Sequence, residues 1–102
     1  MKQQQQTLEA YEPDHDEAHS SYELKKDGRV VAFARYRREG DTLFFTHTEV
    51  DKALEGQGLG SRLAGYALDD VRRRGLKAVA QCSFIAGYLA RHEKEYGALV
   101  KR

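Results

Sequence analysis

The sequence predicts an α+β fold, a three-layer α/β/α arrangement in some schemes. The expected form is a mixed, largely antiparallel sheet, a helix after a glycine-rich turn and a second, C-terminal helix. Three observations predict it. Three strand-like segments follow one another with turns too short for a crossover, glycines at positions 56, 58 and 60 follow the third, and the apolar period then changes from two to about four.

The strands come first. SSYELKK, RVVAFARYRR and DTLFFTHTEV are joined by Lys26-Asp27-Gly28 and by Glu39-Gly40-Asp41. Asp-Gly between alternating segments is a strong hairpin signal, because both residues tolerate positive φ. In the second segment Val31, Phe33 and Arg35 share one face, and Ala32, Ala34 and Tyr36 the other. In the third, strict alternation puts Leu43, Phe45, His47 and Glu49 on one face and Phe44, Thr46, Thr48 and Val50 on the other. Both faces are partly apolar, which predicts a sheet covered on both sides.

Leu59, Leu63, Ala67 and Val71, with Ala64 and Leu68 beside them, predict an amphipathic helix over 59–74. Arg72 to Arg74 suit its C-terminal dipole, and Gly75 is a natural terminator. LKAVAQC follows as a short strand, FIAGYLARHEKEY as a second helix and GALV as a possible last strand. The helix after the third strand permits a right-handed crossover to a parallel neighbour. Residues 1–18, with the tract Gln3–Gln6 and acids around Pro13, read as a flexible N-terminal segment, leaving 19–102 as the folded domain.

Composition excludes several classes. A chain of 102 residues holds one modest core, and 17 basic against 16 acidic side chains give no field to capture nucleic acid or anionic membrane. No apolar run reaches the ~20 residues of a membrane span, and the start lacks the apolar stretch of a secretory signal. One cysteine, Cys82, excludes an internal disulfide and a cysteine-based zinc cage. A cytoplasmic monomer or homodimer without a metal is the expectation.

Three glycines within five residues are costly, at roughly 0.5–1 kcal/mol each relative to Ala inside regular structure. Between a strand end and a helix start they leave the first amides of the helix bare, where an anion can approach without meeting Cβ atoms. The spacing is neither the nucleotide-triphosphate loop, since no Lys-Ser or Lys-Thr follows, nor the dinucleotide fingerprint, since Ser61 stands where a third glycine is needed. On spacing alone, a tight capped turn and an anion site are equal alternatives.

HTEV, then LEGQGLGSRLAGYALDDVRRRGLKAVAQCSF, then a helix with Tyr88 and His92, resemble the short single-domain members of the GNAT acetyltransferase superfamily, from about Ser21 to Val100. The resemblance implies binding of acetyl-coenzyme A as cosubstrate and transfer of acetyl to an amine. The pyrophosphate turn of that superfamily corresponds to Glu55-Gly56-Gln57-Gly58-Leu59-Gly60, with Glu55 where Gln or Arg is usual. Gln57, Gly58, Leu59, Gly60 and Ser61 would then meet the pyrophosphate. Thr48, Glu49 and Val50 would meet the pantetheine, between splayed strands Phe44–Val50 and Leu76–Cys82. Fuller members wall their acceptor pocket with two helices after the first strand. Lys26-Asp27-Gly28 leaves no room for them, so a protein or peptide amine is the easier acceptor.

The chemistry narrows the catalytic candidates. A lysine amine with pKa ~10.4 lies about 3.4 units from neutrality at pH 7, roughly 4.6 kcal/mol, so a base helps. Glu49 is a base at the cleft or a solvated strand-end carboxylate. His47 is its proton relay or a hydrogen-bonded structural residue. Cys82, at the second splayed strand, is an acyl acceptor by the resemblance or a small half-buried apolar residue. By the resemblance, Tyr88 lies in the final helix, where the superfamily often keeps a tyrosine acid near the coenzyme sulfur. Aligning Ala86 with the family's helix alanine, however, puts Ala90 at that position; the alternative for Tyr88 is the core. His92, one turn on, faces the coenzyme or solvent. A coenzyme A-binding module without chemistry is the alternative function.

Overall fold

Residues 11–101 are described by a computed structural model. Its five-stranded sheet has the order β1-β2-β3-β4-β5. The strands are β1 (Glu12–Asp16), β2 (Ser21–Lys26), β3 (Arg29–Glu39), β4 (Thr42–Val50) and β5 (Lys77–Ala80). The first three pairings are antiparallel; β4 and β5, joined through helix α1 (Leu59–Arg73), are parallel. The α+β class and its mixed, largely antiparallel sheet are as the sequence predicts. Asp27 and Gly28 have φ of 53° and 80°, the two positive angles that a tight hairpin of matching twist demands.

Three expectations change. The stretch read as a flexible N-terminal segment supplies β1, whose Glu12–Asp16 pairs with Lys25–Ser21. Backbone pairing, the buried Tyr11 and the stacking of His15 on Tyr22 at 4.0 Å outweigh a polar, proline-containing composition. The tract Gln3–Gln6 lies outside the described residues. The second predicted helix is interrupted at His92 (φ −124°, ψ 38°), giving α2 (Ser83–Arg91) and a single turn, α3 (Glu93–Tyr96). The break returns Tyr96 to α1, where its hydroxyl donates to Asp69 at 2.7 Å and Arg72 covers its ring at 4.9 Å. GALV forms a 3-10 turn over Gly97–Leu99, and Val100 makes one bridge to Ala78.

The third change concerns layers. Tyr22, Leu24, Ala32, Ala34 and Phe45 of the sheet are buried against Leu63, Ala64, Ala67, Leu68 and Val71 of α1. Each fully buried leucine there contributes on the order of 1.5–3 kcal/mol. Helices α2 and α3 pack beside α1. Side chains on the opposite face, Phe33, Arg35, Arg37, Phe44, His47 and Glu49, stay half to fully exposed. The sheet is therefore covered on one side among the described residues. The apolar residues that suggested a second layer are capped by their own neighbours, with Arg35 over Phe33 at 4.9 Å and Arg37 over Phe44 at 4.5 Å. Among the described residues no helix is long and apolar enough to cross a membrane.

One polar cluster ties the outer strands to α1. Asp70, 5% exposed, accepts from the Tyr22 hydroxyl at 2.6 Å and pairs with Arg73 and Arg74. Arg74 also reaches Glu17 at 2.7 Å. Burial first, then the neighbouring Tyr36, pushes the Tyr22 phenol up to about 12, so it stays a donor.

Candidate coenzyme and acetyl-transfer site

Strict alternation fails in the middle of β4. Tyr36 pairs with Phe45, but the next β3 residue, Arg35, pairs with His47, so Thr46 is an extra residue in a bulge. An added residue turns every later side chain to the other face. His47 and Glu49 consequently leave the face of Phe45 for the open side, while Thr48 and Val50 turn toward the helices. The β4–β5 ladder stops at the same place. Its last partners are Phe45 and Ala80, and the Phe45 carbonyl accepts from both Gln81 (2.9 Å) and Cys82 (3.1 Å). Beyond this point the strands part.

Across the gap, Thr48 Oγ1 and Cys82 Sγ lie 3.3 Å apart. Cys82 is half-buried and stands at the N-cap of α2. On the open face, His47 Nε2 and Glu49 Oε2 are 2.8 Å apart in an exposed pair. The bulge thus divides the predicted residues between two sides of one strand, Thr48 with Cys82 and His47 with Glu49.

The glycine turn forms the far wall. Gly56 and Gly58 have φ of 88° and 77°, angles that side chains disfavour, and Gly58 is the N-cap of α1. Gly60 has another reason for lacking a side chain: a Cβ there would sit 2.6 Å from the Phe84 ring. Because the cap is glycine, no side chain closes the first turn of α1, and its amides remain available as donors. A cavity of about 350 Å³ joins this turn to β4. Thr48, Glu49 and Val50 line one side, Gly58 to Ser61 the other, with Glu55 and Phe84 between. Bare amides at a positive helix end suit an anion, and a parted strand edge suits an extended chain. A long ligand with a phosphate at one end fits both features.

The family model for GCN5-related N-acetyl-transferases matches residues 21–99. The chain belongs to the GCN5-related N-acetyltransferase family. Among solved structures, a GCN5-like protein from Staphylococcus aureus matches at 24% identity and TM-score 0.67, over 90% of this chain and 89% of that one. The ribosomal-protein-S18-alanine N-acetyltransferase from Escherichia coli matches at 24% and 0.58, over 84% of this chain and 52% of its own. The N-acetylglutamate synthase from Neisseria gonorrhoeae, in complex with coenzyme A and N-acetyl-glutamate, matches at 18% and 0.58, over 87% of this chain and 23% of its own. This chain therefore spans about half the length of the second and a quarter of the third. A comparison with curated proteins returned no match.

Within this GCN5-related frame the other predicted residues lie apart. Gln57 does not line the cavity; its Oε1 accepts from the Tyr11 hydroxyl at 3.4 Å. Tyr88 is buried, with its hydroxyl toward Gly65 of α1 and its ring stacked on His92 at 4.1 Å. Burial, then Glu95, raises its phenol above the ordinary range. His92 Nδ1 is 3.3 Å from Glu95, and neither ring lines the cavity. Phe84 and Leu54 do line it and were not singled out in the sequence. A signal for Phe84 existed: a large apolar residue two positions after Cys82, at the start of a helix.

Proposed function

We propose that this protein transfers acetyl from acetyl-CoA to an amine on a protein or peptide. The cavity carries the reading, because it joins an uncapped helix start to a parted strand edge within one enclosure. In it the amides of Gly58 to Ser61 hold the pyrophosphate, and the backbone of Thr48 to Val50 pairs with the pantetheine. The coenzyme supplies an activated thioester. The protein's own part is to align that thioester and to take a proton from the incoming ammonium. Glu49 is the group for the proton, with His47 at 2.8 Å to pass it to solvent. The amine then forms the amide bond as the C–S bond breaks, and the coenzyme leaves as a thiolate that takes a proton from solvent. Cys82 stands behind Thr48, a residue of the cavity wall, without lining the cavity itself. A cytoplasmic location suits its free thiol, and a monomer or homodimer completes the reading.

One observation favours a second reading, coenzyme binding without turnover. Glu55 places a carboxylate in the wall of the same cavity, where it opposes an anionic ligand. Calorimetry with acetyl-CoA, CoA and desulfo-CoA, followed by thiol release against a panel of peptides and amines, separates the two. Binding with thiol release is expected. Binding with none across the panel selects the second reading, and no heat with any coenzyme form rejects both.

A further inference from the structure

The open face of the sheet is not flat. A hollow of about 580 Å³ shares Thr48, Glu49, Val50 and Glu55 with the coenzyme cavity, and it continues over Val30 and Phe33. A second hollow of about 540 Å³ shares Val30 and Phe33 with the first and extends over β2 to Glu23 and Asp16. The three concavities adjoin one another through these shared residues and together outline a trough. Strand register gives it direction: Glu23 pairs with Phe33, and Phe33 with Glu49, on a single row crossing β2, β3 and β4. Two strand spacings separate Glu23 from Glu49, about 10 Å, which is the reach of about three residues of extended chain.

The chemistry of the row is specific. Val30, 39% exposed, and Phe33 offer an apolar seat in the middle. Glu49, Asp51, Glu55, Glu23 and Asp16 are set against Lys52 and Arg35 in the lining, although the whole chain is +1. Three of these acids already have partners: Glu49 pairs with His47 at 2.8 Å, Asp51 with Arg29 at 3.2 Å and Asp16 with His19 at 2.8 Å. A trough acidic at both ends and apolar between is complementary to a cationic, extended segment.

Resting on the acetyl-transfer reading of Glu49, we infer that this face docks the acceptor, and that the acceptor is a basic polypeptide segment. It lies across β2 to β4, its target amine at Glu49, an apolar side chain on Val30 and Phe33, and a second cation toward Glu23. Arg35, over the Phe33 ring, bounds the seat.

The test reads binding rather than turnover. Amide NMR spectra of the CoA-saturated protein are followed during titration with a lysine- and leucine-containing heptapeptide and with its glutamate counterpart. The basic peptide is expected to shift Glu23, Val30, Phe33 and Glu49, and the acidic one to leave them unmoved. Glu23→Lys should weaken the basic peptide about fivefold, as reversal of one exposed charge allows, and leave coenzyme affinity unchanged. Val30→Arg, a second variant in the lining of both hollows, should do the same. Equal binding of both peptides, shifts confined to other faces, or wild-type affinity in both variants overturns the proposal. Shifts that follow protein concentration without peptide also overturn it, because they assign the face to a second copy. Peptide docking without acetyl transfer supports the docking surface and counts against the enzymatic reading alone.

Discussion

Thr48 Oγ1 and Cys82 Sγ meet at 3.3 Å across the point where two parallel strands part. The contact depends on the Thr46 bulge, without which Thr48 would face the open side. It occupies the thiol with a hydroxyl and links the segment after β5 to Thr48, which lines the cavity.

A thiol held against Thr48 is expected to act through packing. Cys82→Ala is expected to retain turnover within about threefold, and intact-mass spectra of protein quenched with acetyl-CoA are expected to show no acetyl adduct. An adduct in the wild type that disappears in Cys82→Ala would reverse this and make transfer two-step.

Glu49 makes the opposite prediction. Glu49→Gln keeps the strand, the bulge and most of the side-chain volume while removing the base. Turnover should fall by roughly 10²–10⁴, the range of general-base contributions, with coenzyme affinity nearly unchanged. Turnover equal to wild type in steady-state assays with a lysine peptide would remove Glu49 from the mechanism.

Two glycines in one turn respond differently. Gly58→Ala forces a side chain into a left-handed conformation (φ 77°) and should cost about 1 kcal/mol, lowering Tm by roughly 4–8 °C in a domain of this size. Gly60→Ala meets the Phe84 ring instead, and Phe84 is 37% exposed and free to swing outward. Stability should change little, while the displaced ring reshapes the cavity and weakens the coenzyme. Paired thermal melts and calorimetry distinguish the two.

Asp70 anchors α1 to β2. Asp70→Ala leaves the buried Tyr22 hydroxyl without its acceptor and two arginines without their carboxylate, and should cost about 3 kcal/mol. Tyr22→Phe, which keeps the arginine pairs, should cost nearer 1 kcal/mol. Chemical denaturation of the two variants checks the order.

His15 sets a pH window. Its pKa is depressed below 6.5, by burial first and then by Arg74, with Glu17, Asp14 and Asp16 acting the other way. The Asp70 carboxylate, 3.6 Å away, is already engaged by Tyr22 and the arginines, and the Tyr36 hydroxyl lies 2.6 Å from Nε2. Below pH 6.5 the unfolded chain takes up a proton that the folded chain resists, so stability falls as pH drops toward the folded pKa. Above 6.5 the term vanishes. Tm measured from pH 7.5 to 5 should decline, and His15→Phe, which retains a ring to stack on Tyr22, should flatten that decline. The depressed carboxyls of Glu17, Asp41 and Asp51 act at lower pH, as acid neutralises them.

The sequence by itself determined the strands and helices, and their order, from β2 to the start of α2. Asp27-Gly28 and Gly40 admit only tight turns, and the four-residue apolar period from Leu59 to Val71 has one amphipathic solution. Local backbone preference and periodicity are properties of short windows, so they are legible in one chain. The tight glycine turn before that helix was legible for the same reason. Tertiary structure decided the rest. One inserted residue in β4 sent Glu49 and Thr48 to faces opposite those that alternation assigns, because pairing with β3 fixes the register. Contact with Tyr22 and Tyr36 recruited β1 from a polar segment, and contact with α1 broke the last helix at His92 and held Tyr88 away from the cavity. Which face a side chain occupies depends on partners distant in sequence, and only the assembled sheet and helices supply those.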